Sequence, residues 1–462
     1  MDFGTETEAS WVDLKNAAWA AASGLIKQNV KPGDGIAIIG GTGFDFLSIE
    51  IGAMAAAVVP FVVPADLPLD KILSAVLISR CSYFVVLDGP GIDSVEIADA
   101  LAPLSHIFRG LKADSLRTSI PGPAAIPEDS QDDPDVEQRL NVLGPVCPGA
   151  SFLFETPDGR PEVITLSHSN LMDTTAAVTA QLMADENDVW TTLNGFCTPF
   201  MRMASWFCAI ASGGTFSFVP QGRATIESLY LIRPSFVICD EAMAGTLAQG
   251  IRSELDLLEG VRGKLTRWGF ERTLDRISSR RESKGFRDNL ADLSVEHLVR
   301  DITGGAMRTV LCEVDATSAG LATVVRNTLE TAGISTWAVF GPVTASCFMT
   351  VSRPGQIKEG SIGRAMAESS VSVSEYGELV LNGYNSMQWP VNLLSLATKD
   401  FDSDNVLTGW NGTVDDEGFV FIDSPRLRGP QMHNQGEPTE KVTSNDSIES
   451  TEFVGPQKPP NA

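Results

Sequence analysis

The sequence predicts an α/β fold, with two stacked βαβ subdomains and a small β-rich subdomain after them. Three observations carry that expectation. Short apolar runs alternate with longer segments of helical periodicity through most of the chain. After about residue 372 the pattern changes to short strands separated by turns. Apolar residues make up 43% of the 462 positions and charged ones 20%, which suits a large packed core and not a disordered or fibrous chain.

The elements follow in order. Residues 1–10 read as an extension. WVDLKNAAWAAASGLIKQ, from residue 11 to 28, has apolar side chains at helical spacing. After a Pro-Gly-Asp turn at 32–34, GIAII reads as a buried strand, FLSIEIGAMAAAV as a helix and VPFVVP as a second strand. DKILSAVLISR is helical and YFVVLD extended. Residues 113–149 are rich in Pro, Asp and Ser and read as a surface linker. Alternation resumes at Ala150 with the strands SFLF, VWTTL, TFSFV and SFVIC. Residues 262–300 are charged, locally basic and helical in period, the pattern of a solvated face. VSVSEYGELVLNG and DDEGFVFID supply the β-rich part. The main domain is expected to span 11–428. The acidic tail 429–462 lacks apolar periodicity and is expected to be disordered.

Composition excludes several functions. A formal net charge of −25 repels nucleic-acid phosphates, and no basic stretch is interleaved with aromatics as nucleic-acid binding requires. Seven cysteines without a C-x-x-C, mostly in apolar runs, suggest buried thiols in a reducing, cytoplasmic compartment. The four histidines are scattered, so no metal spacing is present. The longest apolar stretch, 51–65, is too short to span a bilayer and holds two prolines. Peripheral contact with an internal membrane stays open.

GIAIIGGTGFDF places glycines between a strand and a helix, as a dinucleotide-binding turn does. Gly41 and Gly43 fit G-x-G, but Phe46 holds the third glycine position. Asp66, inside PADLP, is the nearest candidate acid. A lone partial motif is a weak signal, and a plain tight turn in a βαβ unit is the favoured reading over an NAD(P) site.

Six segments, collinear over 11–428, resemble the adenylate-forming superfamily. They are PGDGIAI (32–38), VVPFVVP (58–64), GRPEVITLSHSNL (159–171), VSRPGQIKEGSIGR (351–364), YGELVLNGYNSM (376–387) and LTGWNGTVDDEGFVFI (407–422). The nearest resemblance is to the long-chain acyl-CoA synthetases, including the bubblegum type. It implies a fold equal to that family's large N-terminal domain, with the C-terminal catalytic domain absent. It also implies a reaction in which ATP and Mg activate a fatty acid as acyl-AMP, releasing pyrophosphate, before CoA displaces AMP. Such chemistry works through charge stabilisation on phosphates.

The residues that should handle ATP depart from the family pattern. The phosphate loop of the family reads Ser-Gly-Thr-Thr-Gly-x-Pro-Lys-Gly. Aligned on His168, this chain reads Glu155, Thr156, Pro157, Asp158, Gly159, Arg160, Pro161, Glu162, Val163. Gly159 and Pro161 match, Pro157 removes a donor, and Glu162 reverses the lysine's charge, with Arg160 a partial offset. A unit charge at ~4 Å contributes ~4 kcal/mol at an effective dielectric near 20, so several reversals weigh heavily against a triphosphate.

The family's adenine loop is Ser-Gly-Gly-Ala-Pro-Leu, and here Cys312, Glu313, Val314 and Asp315 replace its opening. The Tyr-Gly-x-Thr-Glu motif becomes Phe340, Gly341, Pro342, Val343, Thr344, where a one-residue slip would offer the Thr344 hydroxyl. The ribose-holding Thr-Gly-Asp keeps Thr408 and Gly409 but has Trp410 for the acid, and an indole accepts no hydrogen bond. His168 reads as a first-turn helix residue and WFCAIASGG (206–214) as core helix more readily than as an acyl tunnel.

These departures favour a non-catalytic family member that binds an acyl chain or a protein partner, with no confident catalytic residue, metal or cofactor. The alternatives are an active or weak long-chain acyl-CoA synthetase, and an NAD(P)-binding protein built on the GGTGF turn.

Overall fold

The computed structural model describes residues 8–40, 43–64, 67–88, 93–112, 133–155, 161–196, 198–219, 225–279, 285–316, 320–383 and 405–425. The tail 429–462 lies outside them.

The first helix, Trp11–Lys27, begins at a capping box in which Ser10 and Asp13 satisfy each other's backbone N–H. Its alanine face meets the helix Phe44–Ala55 at close range. A Cβ on Gly52 would stand 2.6 Å from the Ala18 carbonyl and 2.7 Å from the Ala21 Cβ.

These helices cover one face of a sheet made of β1 (Gly35–Gly40), β2 (Val59–Pro64), β3 (Tyr83–Val86), β4 (Arg109–Leu111), β5 (Pro148–Glu155) and β6 (Pro161–Ser167). The order is β4-β3-β1-β2-β5-β6. All neighbours are parallel except the hairpin β5–β6. β1 is buried throughout. Ile36 and Ile38 join the core under the first two helices, while Ala37 and Ile39 join the core on the opposite face, under the helices Leu69–Ser79 and Ser94–Leu101. A strand covered on both faces must be apolar at every position, which is why GIAII reads as a continuous run.

The stretch read as a linker contains a helix, Pro134–Val142, capped by Asp133. Arg139 ties it to the domain through the carbonyls of Ala56 (2.9 Å) and Val30 (2.7 Å). Its polar composition hid it, because one buried apolar side chain, Val136, anchors it.

The second sheet contains β7 (Val189–Thr192), β8 (Thr215–Phe216), β9 (Phe236–Asp240), β10 (Thr309–Glu313), β11 (Ser335–Phe340), β12 (Thr350–Ser352) and β13 (Arg364–Ala365), in the order β13-β12-β11-β10-β9-β7-β8. β7 to β11 run parallel, and β12 and β13 are antiparallel additions. One face packs on the helices Glu241–Leu257 and Thr323–Thr331. The other shares a core with β5, β6 and the helix His168–Leu182, so the two sheets are stacked through common packing.

The segment 262–300 forms parts of two helices, Gly260–Ser278 and Phe286–Thr303. WFCAIASGG starts at the end of a π turn, Met203–Phe207, and continues through the helix Cys208–Ser212. Trp206, Cys208 and Ala209 are fully enclosed, in agreement with the core reading. The β-rich part is a four-stranded antiparallel sheet of β14 (Ser369–Val373), β15 (Glu378–Gly383), β16 (Val406–Val414) and β17 (Val420–Pro425). It packs on the second sheet through Leu379, Leu381 and Val420.

Candidate functional site

In open parallel sheets, ligands bind beyond the carboxyl ends of the strands. In the second sheet those ends bring together three of the residues that the sequence singled out, Glu313, Gly341 and Thr344. Glu313 ends β10. Phe340 ends the neighbouring β11, with Gly341 next and Thr344 in the turn that follows.

Glu313 is anchored on one side by the Thr198 hydroxyl, which donates to Oε2 at 2.7 Å. Thr198 also caps the short helix Pro199–Arg202 by accepting from the Met201 N–H. Burial pushes the Glu313 carboxyl up to about 7, against the Thr198 hydrogen bond, and the nearby charges of Asp240 and Asp315 push it further the same way.

Asp240 ends β9 and is held by Asn194, whose Nδ2 donates to Oδ2 at 2.8 Å. Its other oxygen accepts from the Met243 N–H and caps the helix Glu241–Leu257. The Glu241 carboxylate in turn accepts from the Asp315 N–H at 2.8 Å. Carboxylates therefore stand at the ends of both central strands, and the next residues along the chain add more. Among the described residues, no group of three or more His, Cys, Asp or Glu side chains is arranged to hold a metal.

Gly341 is fixed by its surroundings. A Cβ there would lie 2.4 Å from the Cys347 carbonyl carbon and 2.6 Å from the Met349 nitrogen. The loop returns this closely because Ser346 and Cys347 are both left-handed, at φ 48° and 65°. The Thr344 hydroxyl oxygen is enclosed and has no hydrogen-bond partner among the described residues.

Thr408, Gly409 and Trp410 lie in β16, and the hydrogen-bonding atoms of the first two are committed within the sheet. The Thr408 hydroxyl donates to the Leu379 carbonyl at 2.9 Å, and the Gly409 N–H donates to the buried Glu378 carboxylate at 2.9 Å. The Trp410 ring stands edge-on to Phe340, with centroids 6.1 Å apart, and packs against the core of the second sheet. Trp410, expected from the sequence resemblance to stand for a ribose-holding acid, thus fills space at the end of β11.

The remaining candidates sit elsewhere. Thr156, Gly159 and Arg160 fall outside the described residues, between the paired ends of β5 and β6. Pro161 opens β6 and is exposed. His168 is the first residue of its helix, behind a Ser167–Asn170 capping box. Burial lowers its pKa, and its Nε2 is enclosed without a partner among the described residues. In the GGTGF turn, Gly41 falls outside the described residues. Gly43 is extended with open space around it, and Phe46 is buried in the core, so this turn's described side chains serve packing.

Sequence reasoning missed Thr198, Asn194 and Asp240, and also a buried ion pair between Glu50 and Arg202 that joins the two subdomains. The acids had a signal: FVICD and TVLCE each end an apolar strand with a carboxylate. Thr198 and Asn194 had none, because their roles depend on contacts across the fold.

No protein-family model matches this chain, and no curated protein is similar enough in sequence to be matched. Solved structures do match. The O-succinylbenzoate coenzyme A synthetase MenE from Bacillus subtilis, in complex with AMP, superposes with a TM-score of 0.64 at 13% identity, over 91% of this chain and 75% of that one. The same enzyme with ATP and a magnesium ion gives 0.63 at 14% identity, over 90% and 75%. VinN in complex with L-aspartate gives 0.60 at 13% identity, over 89% and 90%. These neighbours are adenylate-forming enzymes, and the fold of this chain is theirs.

Proposed function

We propose that this chain uses the adenylate-forming fold without running the ligase reaction, as a non-catalytic relative of the acyl-CoA synthetases that binds an acyl chain or a protein partner. The observation that carries the reading is the chemistry at the carboxyl ends of β9, β10 and β11. Asp240, Glu313 and Asp315 bring carboxyl groups to or just beyond the strand ends, where open parallel sheets bind ligands, and Trp410, which the resemblance aligns with the family's ribose-holding acid, packs its ring on Phe340. Polyanions are destabilised beside fixed negative charge in a partly desolvated site. The carboxyl groups at these strand ends weigh against a bound triphosphate.

Purified protein should show no acid-dependent ATP–pyrophosphate exchange with medium- or long-chain fatty acids, and no thermal shift with Mg-ATP. A thermal shift with fatty acids alone would identify an acyl ligand. Clear fatty-acid-dependent exchange would falsify the non-catalytic reading.

A second reading, a weak long-chain acyl-CoA synthetase, is favoured by one feature. The Thr344 hydroxyl is enclosed beside Gly341 without a partner among the described residues, as an unused phosphate donor would be. Thr344→Val separates the two. It should abolish any measurable exchange under the enzyme reading and leave ligand-induced shifts unchanged under the other.

A further inference from the structure

The acids that end β9 and β10 are both tied to one short stretch of chain between β7 and the helix Pro199–Arg202. Asn194 donates from Nδ2 to Asp240 at 2.8 Å and its Oδ1 accepts from the Asp240 N–H at 3.0 Å. The Thr198 hydroxyl donates to Glu313 at 2.7 Å and accepts from the Met201 N–H at 3.2 Å. Asn194, Gly195 and Thr198 are half-buried, whereas Phe200 and Met201 beyond them are enclosed.

Glu313 meets charge of its own sign from each side. Asp240 faces it from β9 and Asp315 from the segment after β10, and Glu241 accepts from the Asp315 N–H. Cys347 lies near it in the loop after β11, a buried thiol whose pKa burial holds well above the ordinary value. Arg202 lies near Cys347 and is paired with Glu50. Ionising Glu313 in this arrangement works against burial and against two carboxylates, and the Thr198 hydrogen bond offsets that only in part. The strain is relieved where water enters most easily. The loop after β11 is packed too tightly to yield, with Gly341 pressed on Cys347 and Met349. The half-buried stretch at Asn194 and Thr198 is the weaker cover.

We propose that Asn194 and Thr198 form a proton-operated latch over the ends of β9 and β10, closed while Glu313 carries a proton and loosened when it ionises. Opening frees the Met201 and Asp240 N–H groups from the latch side chains and admits water to the strand ends, while the enclosed Phe200 and Met201 side chains stay in the core. The latch rests on the functional reading only in placing the site at these strand ends. Its test contains no nucleotide and no fatty acid, so either reading can fail alone.

Amide hydrogen exchange of the full chain, read at single residues by fragmentation mass spectrometry, is the measurement. After correction for intrinsic exchange, protection of the Met201 and Asp240 amides should fall about tenfold between pH 5 and pH 7.5. Amides of the buried strand β1 report global unfolding and should stay at least about a hundredfold better protected than these two. Glu313→Gln keeps an oxygen to accept from Thr198 and should abolish the fall. Asp315→Asn, at an exposed position, removes one of the facing charges and should reduce the fall, which keeps the test decisive if the first variant does not fold. Three results overturn the proposal: protection of the two amides that is flat with pH in the parent, a fall that a folded variant leaves undiminished, or protection as high as that of β1, which would mean that these amides exchange only on global unfolding.

Discussion

Glu50 is a fully buried carboxylate and Glu313 a partly buried one, and their surroundings differ in one respect that matters. Glu50, on the helix Phe44–Ala55, pairs directly with Arg202 across the seam between the first and second sheets. Glu313, at the end of β10, has a threonine hydroxyl as its hydrogen-bond partner and two acids as its charged neighbours. The seam neutralises its charge internally, so it holds the subdomains together and offers little to a ligand. The strand end accumulates like charge, so it resists an anion and tends to hold a proton. The first place ties together the fold, and the second gathers acids at the ends of its strands.

The largest effect should come from breaking the seam. Burial lowers the Arg202 pKa to about 9, and the Glu50 carboxylate is the acid paired with its guanidinium. Its plane also lies 4.4 Å from the centre of the Phe152 ring. Arg202→Met leaves Glu50 buried and unpaired, which should cost about 3–5 kcal/mol in denaturant unfolding. The pair is not fully satisfied, since Glu50 Oε2 and Arg202 Nε have no hydrogen-bond partner among the described residues. Glu50→Leu/Arg202→Met should therefore recover most or all of the loss. If the double variant is as unstable as the single one, the seam depends on packing geometry and the contrast with Glu313 fails.

How much was legible in the sequence follows the same division. β1, β2, β3 and β9 could be read because strands covered on both faces are apolar at every position, and Ile36 to Ile39 show why. The order of the sheets and the edge strand β4 could not, because three residues with two of them exposed leave no pattern. At the site, Glu313, Gly341 and Trp410 were found through the family resemblance. Thr198, the partner of Glu313, and Phe340, the partner of Trp410, are distant from them in sequence and meet them through the fold.

Gly341 turns this into a measurement. Its sequence context marked it as a vestigial nucleotide-site residue, and its contacts also give it a packing role. Gly341→Ala should cost about 2–3 kcal/mol through overpacking against Cys347 and Met349. An alanine tolerated within a few tenths of a kcal/mol would show that the loop gives way and that the glycine serves something other than the fold.

The smallest predicted effect depends on pH and tests the strand end directly. The Glu313 pKa rises from an ordinary 4.5 to about 7 on folding, first through burial and then through Asp240 and Asp315. Between these values the folded chain holds a proton that the unfolded chain has released. Stability from this group is therefore complete below about pH 4.5 and is lost as pH rises through 7. Glu313→Gln keeps an oxygen to accept from Thr198 and removes the titration. Relative to the parent it should gain about 2 kcal/mol at pH 8 and little at pH 4.5, discounting the full shift for partial solvent access. Unfolding curves for both proteins across that range are the measurement. Parallel pH profiles would mean that Glu313 titrates normally, and the carboxyl cluster would then be a solvated rim and not a barrier to anions.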